Sequence, residues 1–155
     1  MAQFDFSLDG VLRHRMHLEE QCQRDLAALQ QQMRLAQDEL RGLDQAMQAS
    51  LNDVRHNRLV GKLDMGFLAA YRRYVASVQR KGTVMAQKMA LVQRDIDAAH
   101  KKLAEAAKQR KIMEKLRDKQ KERWKQQLDR KEAADLDEVS MKLAAREFGG
   151  MGDED

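Results

Sequence analysis

The sequence has no proline, one cysteine and 5% aromatic residues among its 155 positions. Without proline nothing obliges a helix to break, so long uninterrupted helices are permitted along the whole length. A lone cysteine cannot form an internal disulfide, and Cys22 reads as a small core residue in a reducing compartment. No run of about 18 apolar residues is present, which excludes a membrane-spanning helix. The opening MAQFDFSLDGVL has no basic block followed by an apolar one, so no secretory signal is read and a cytoplasmic location is expected. The glycines make neither a dinucleotide fingerprint nor a P-loop. Of the four histidines, His14 and His17 share a helical face, but neither has the carboxylate partner pattern of a metal site. No catalytic residue, metal or cofactor is therefore predicted.

What is present is charge and helix-forming side chains: 35% charged residues, 29 Lys and Arg against 25 Asp and Glu, and a mean hydropathy of −0.75. Core positions recur at alternating steps of four and three from Cys22 through Leu26, Leu29, Met33, Ala36, Leu40, Leu43, Met47 and the polar Ser50 to Val54. A second run with the same alternation leads from Leu68 through Tyr71, Val75, Val78, Gly82, Met85, Met89, Val92, Ile96, Ala99, Leu103, Ala106 and the charged Arg110 to Met113. Two core positions per heptad make a seam suited to one partner helix. Folding the chain near residue 62 brings together residues whose numbers sum to 125: Leu26 with Ala99, Leu29 with Ile96, Met33 with Val92, Leu40 with Met85, Met47 with Val78. Each pair joins an a to a d position, as an antiparallel coiled coil requires. The prediction is an all-α protein, a long antiparallel two-helix coiled-coil hairpin with a C-terminal helical overhang, in one domain.

Helix one is placed at about 8–58, with Asp5 or Ser7 as cap, the turn at 59–66, helix two at about 67–148, and a frayed glycine-rich tail at 149–155. In the turn, Gly61 suits a left-handed residue and Asp64 the next N-cap. Gly42 and Gly82 fall beside and on the seam, either as tolerated gaps or as a thin spot where the helices bend or approach. Beyond Met113 the stripe degrades to Leu116, Trp124, Leu128, Leu136, Val139 and Leu143. Helix two should outlast helix one by about 30 residues, some 45 Å of helix. Apolar residues on such an overhang suggest a face reserved for another protein.

Charge is segregated along the same stretch. Residues 101–131 carry 13 Lys and Arg against 5 Asp and Glu, whereas 132–155 carry 2 against 8. The interleaved acids and the single aromatic, Trp124, fit a solvated face or a docking face for an acidic protein better than a nucleic-acid surface. Trp124 is a candidate interface anchor, or else closes the open end of the hairpin against Phe4 or Phe6. Phe67, Tyr71 and Tyr74, near Met47 and Leu51, make the hairpin tip a second candidate interface, or else pack locally, with Tyr71 as the seam partner of Val54.

Two sets of residues carry a family resemblance. In the C-terminal region these are Arg110-Lys111…Glu114-Lys115-Leu116 and Arg130-Lys131-Glu132…Leu136-Asp137-Glu138; at the start they are Phe4-Asp5-Phe6-Ser7-Leu8…Val11-Leu12…Arg15. Together they resemble the flagellar FliJ family over essentially the whole chain. The resemblance implies a cytoplasmic component of the flagellar type III export apparatus, peripherally associated with the inner membrane, and hence a part in flagellum biogenesis and motility. Family members look like the two-helix stalk of the rotary ATPase gamma subunit. They bind and stimulate the export ATPase hexamer, contact the cytoplasmic domain of the export gate and take part in handling export chaperones. On that resemblance Arg110, Lys111, Glu114, Lys115, Arg130, Lys131, Glu132, Asp137 and Glu138, with Trp124, belong to the ATPase-facing end. Met47, Leu51, Phe67, Tyr71, Tyr74 and Val78 belong to the tip that meets the export gate. The residues alone leave three alternatives open: the equivalent stalk of a virulence-type secretion system, a nucleic-acid-binding coiled coil, and a homo-oligomer in which the overhangs pair.

Overall fold

The computed structural model describes residues 4–149 as two helices, α1 over Asp9–Asp53 and α2 over Met65–Gly149, joined by a π-helical turn at Val54–Arg58 and a short loop. There is no strand among the described residues, and the chain is an all-α helical hairpin. Beyond Gly149, the tail expected over 149–155 lies outside the described residues. The chain gathers into two compact units: Leu18–Ala106, and the segments Met1–His17 with Ala107–Asp155.

In Leu18–Ala106 the core is centred on Leu26, Val92 and Ile96, with Leu29, Met33, Ala99 and Leu103 packed around them. These are the residues that the mirror numbering pairs. Every stripe position from Cys22 to Val54 is buried or half-buried, while the equally apolar Leu35 and Leu91, off the stripe, stay exposed at 59% and 60%. Register, and not hydrophobicity alone, decides what is covered. A Cβ placed on Gly82 would meet only the Cδ1 of Leu40, at 4.0 Å, and one on Gly42 would meet nothing within 4 Å. The backbones are therefore not held at a close approach by either glycine.

The turn is built from specific local bonds. Helix one ends as α-helix at Asp53 and finishes in a wider π turn, where the Leu59 N–H donates to the Val54 carbonyl at 3.2 Å. Asn57 Nδ2 donates to Asp53 Oδ1 at 2.6 Å on the same turn. Gly61 takes φ of 90°, a conformation that a side chain would strain. Asp64 then caps α2, its Oδ1 accepting from the Phe67 N–H at 3.1 Å.

In the other unit, the first turn of α1 is closed by the backbone, with Asp9 N–H to Phe6 O at 2.9 Å and Leu12 N–H to Leu8 O at 3.0 Å, and not by the side chain of Asp5 or Ser7. Asp9 also pairs with Arg13 one turn on. Phe6 and Leu12 are buried. On α2 the sheltered stripe does not stop at Met113: Arg117, Gln120, Trp124 and Leu128 are all half-buried. The segment before α1 helps supply the cover, since the Phe4 ring lies 5.9 Å from Trp124 at 54°. Among the described residues the fully exposed end of α2 is 129–146, part of the overhang beyond α1 being sheltered by Phe4.

Candidate functional site

Two exposed surfaces, one in each unit, collect the candidate residues. In the unit formed by the terminal segments, helical spacing divides α2 into a covered face and an open one. Arg110 and Glu114, one turn apart, form a part-buried ion pair at 2.6 Å between Arg110 Nη1 and Glu114 Oε1. Trp124 is tilted against Phe4, the geometry of an edge-to-face aromatic contact. These three candidates are thus engaged in packing. Lys111, Lys115, Arg130, Lys131, Glu132, Asp137 and Glu138 are exposed, with Glu138 Oε1 2.6 Å from Lys142 Nζ.

At about 100° per residue, Lys108, Lys111, Lys115, Lys119 and Arg123 fall within about 120° of one another, on the side of α2 away from the covered positions. All five are exposed, and none has an ion-pair partner among the described residues. Such a row attracts a diffuse anionic surface through several weak contacts, each screened by salt. Sequence reasoning placed the excess charge here but did not resolve which side of the helix would carry it.

In Leu18–Ala106 the turn and the start of α2 form the second surface. The rings of Phe67, Tyr71 and Tyr74 succeed one another along the helix, with centroids 6.3 Å apart at 15° and 6.2 Å apart at 36°. Their spacing of four and three puts them on one face, and the ladder packs locally. The hydroxyl oxygen of Tyr71 is enclosed and has no hydrogen-bond partner among the described residues. Of the six tip candidates Tyr74 alone is exposed; Met47, Leu51, Phe67 and Tyr71 are half-buried, and Val78 is part of the core.

The exposed apolar surface of the tip is instead made by Leu59, Val60, Leu63 and Met65, at 48%, 75%, 55% and 72% exposure. None of these was singled out from the sequence. The signal was present: a glycine-containing turn is ordinarily polar, and this one reads Leu-Val-Gly-Lys-Leu-Asp-Met. Aromatic residues drew attention because they dominate interfaces, yet here they pack against one another along the helix.

Cys22 is half-buried on the seam and is not in a disulfide. His14, His17 and His56 are exposed, and His56 Nδ1 lies 2.8 Å from the Asn52 carbonyl oxygen. Among the described residues no helix is long and apolar enough to cross a membrane.

Comparison with protein families matches residues 4–148 to the family described as Flagellar FliJ protein. Comparison with curated proteins and with solved structures gave no match.

Proposed function

The chain belongs to the flagellar FliJ protein family, and on that premise we propose that it is a stalk-like coiled coil that binds and stimulates the export ATPase hexamer and links it to the export gate and to export chaperones. As a member of that family it is a flagellar-export-related coiled-coil protein, of a family whose role is not catalytic. The family match over residues 4–148 carries the reading, and the two exposed surfaces supply it with sites. The row of Lys108, Lys111, Lys115, Lys119 and Arg123 is suited to acidic loops of a surrounding ring, because every cation is solvated and free to reorient. The exposed Arg130, Lys131, Glu132, Asp137 and Glu138 extend that docking region. The apolar tip, Leu59, Val60, Leu63 and Met65 with Tyr74, is the surface for the gate. The protein then works from the cytoplasm, peripheral to the membrane-embedded apparatus.

The decisive test is ATP hydrolysis by the purified export ATPase with and without this chain. Replacing Lys111, Lys115, Lys119 and Arg123 together by Glu should lower stimulation at least about tenfold while helix content is unchanged, because all four lie outside the packed seam. Undiminished stimulation by a folded quadruple variant would remove the basic row from the ATPase interface.

A further inference from the structure

Beyond Leu128 every residue of α2 up to Arg146 is exposed, and three apolar side chains there share a face: Leu136, Val139 and Leu143, exposed at 68%, 54% and 58%. Their steps of three and four are those of a coiled-coil seam. They do not continue the covered seam. From Trp124 the stripe advances by three successive steps of four, through Leu128 and Glu132 to Leu136, with no compensating three. Each four overshoots a full turn by about 40°, so the trio is centred about 100° around α2 from Met113, Arg117, Gln120 and Trp124.

The charges on the face are sorted by sign. Asp129, Glu132 and Asp135 lie along its N-terminal half, Lys142 and Arg146 along its C-terminal half. In heptad terms Asp129, Leu136 and Leu143 occupy a, Glu132, Val139 and Arg146 occupy d, and Asp135 and Lys142 occupy g. Arg130, Lys131, Asp137 and Glu138 fall on outer b and c positions. A second copy laid antiparallel, with facing residue numbers summing to 275, sets Leu136 against Val139, Asp129 against Arg146 and Glu132 against Leu143, the last a mismatched layer that weakens the pairing. It also sets Asp135 beside Lys142, and twofold symmetry repeats each pair. The opposite flank carries only the small Ala133 and Ser140. A parallel copy in register would instead stack Asp129 on Asp129 and Glu132 on Glu132, which like-charge repulsion opposes.

We propose that residues 129–146 form a self-complementary face through which two copies of the chain pair antiparallel. The pairing goes beyond the ATPase reading and does not depend on it. Its apolar content is small, so the dimer is weak and reversible, with a dissociation constant on the order of 100 µM.

Sedimentation of the isolated full-length chain from about 10 to 500 µM tests it over the range where such a dimer forms and dissociates. The wild-type protein should move from monomer to dimer across that range. Asp135→Lys or Lys142→Asp alone converts two attractive contacts to repulsive ones and should weaken association about tenfold. The double swap restores opposite charges and should return the affinity to within about threefold of wild type. Circular dichroism on each variant separates a loss of pairing from a loss of helix, since Lys142 also pairs with Glu138. A wild-type chain that stays monomeric at the highest concentration overturns the proposal. So does a double swap that associates no better than the single variants. A monomer whose stimulation of the ATPase falls on Leu136→Asp assigns the face to the ATPase instead. Failure of the quadruple basic variant to affect the ATPase leaves the dimer measurement untouched, so the two readings fail separately.

Discussion

Two glycines in this chain have opposite physical meanings, one legible in the sequence and the other only in the coordinates. Gly82 sits in the middle of α2 on a seam position, where a Cβ would make an ordinary contact with Leu40. Gly61 sits in the turn at φ of 90°. In a helix interior glycine costs roughly 1 kcal/mol against alanine through lost chain entropy and an unfilled site. Gly82→Ala should therefore stabilise the protein by about 0.5–1 kcal/mol in urea unfolding. Gly61→Ala should destabilise it by about 1 kcal/mol, because alanine pays for the left-handed conformation that glycine adopts freely. Equal effects of the two substitutions would contradict this assignment. The sequence alone made Gly61 intelligible, since it follows a helical pattern and precedes a capping aspartate. Gly82 was not intelligible, because a gap on a seam looks the same whether the helices close on it or not.

The turn shows how a local signal and an exposed apolar surface can be separated within one element. Val54, buried at 6%, anchors the end of helix one, and the π turn after it widens the backbone by a residue. The aromatic ladder of Phe67, Tyr71 and Tyr74 then occupies the flank of α2, leaving Leu59, Val60 and Leu63 projecting into solvent. Val60→Ser with Leu63→Ser should leave the unfolding midpoint unchanged, since both side chains are more than half exposed. The same pair should weaken binding to the isolated cytoplasmic domain of the export gate about tenfold or more in titration calorimetry, if the apolar tip is the gate surface. Substituting Tyr71, by contrast, should lower stability, because its ring is held between two others. Wild-type gate affinity in the serine pair would move the gate surface elsewhere.

For the molecule as a whole, sheltered seams hold the fold together, and the uncovered lengths of helix are the surfaces left for the proposed partners. Removing residues 129 onward takes away no buried side chain among the described residues, so the shortened chain should melt within about 2 °C of the full one. If residues 130–138 extend the proposed ATPase surface, the shortened chain should also stimulate the export ATPase less than the full one. A fall of more than about 5 °C would mean that the segment packs after all. Much of this protein was determined by its sequence. The absence of proline, the four-three spacing and the mirror order of Leu26, Leu29 and Met33 with Ala99, Ile96 and Val92 left a helical hairpin as the arrangement that buries both stripes. The boxes around Arg110 and Arg130 pointed to the FliJ family. Tertiary structure decided which side chains remain available. Trp124 is engaged because Phe4 reaches it, Val78 belongs to the core because its register faces helix one, and Leu59 and Val60 stand open because the π turn and Gly61 carry them out of the seam. Periodicity is a local property that a sequence displays; exposure depends on where the rest of the chain comes to lie.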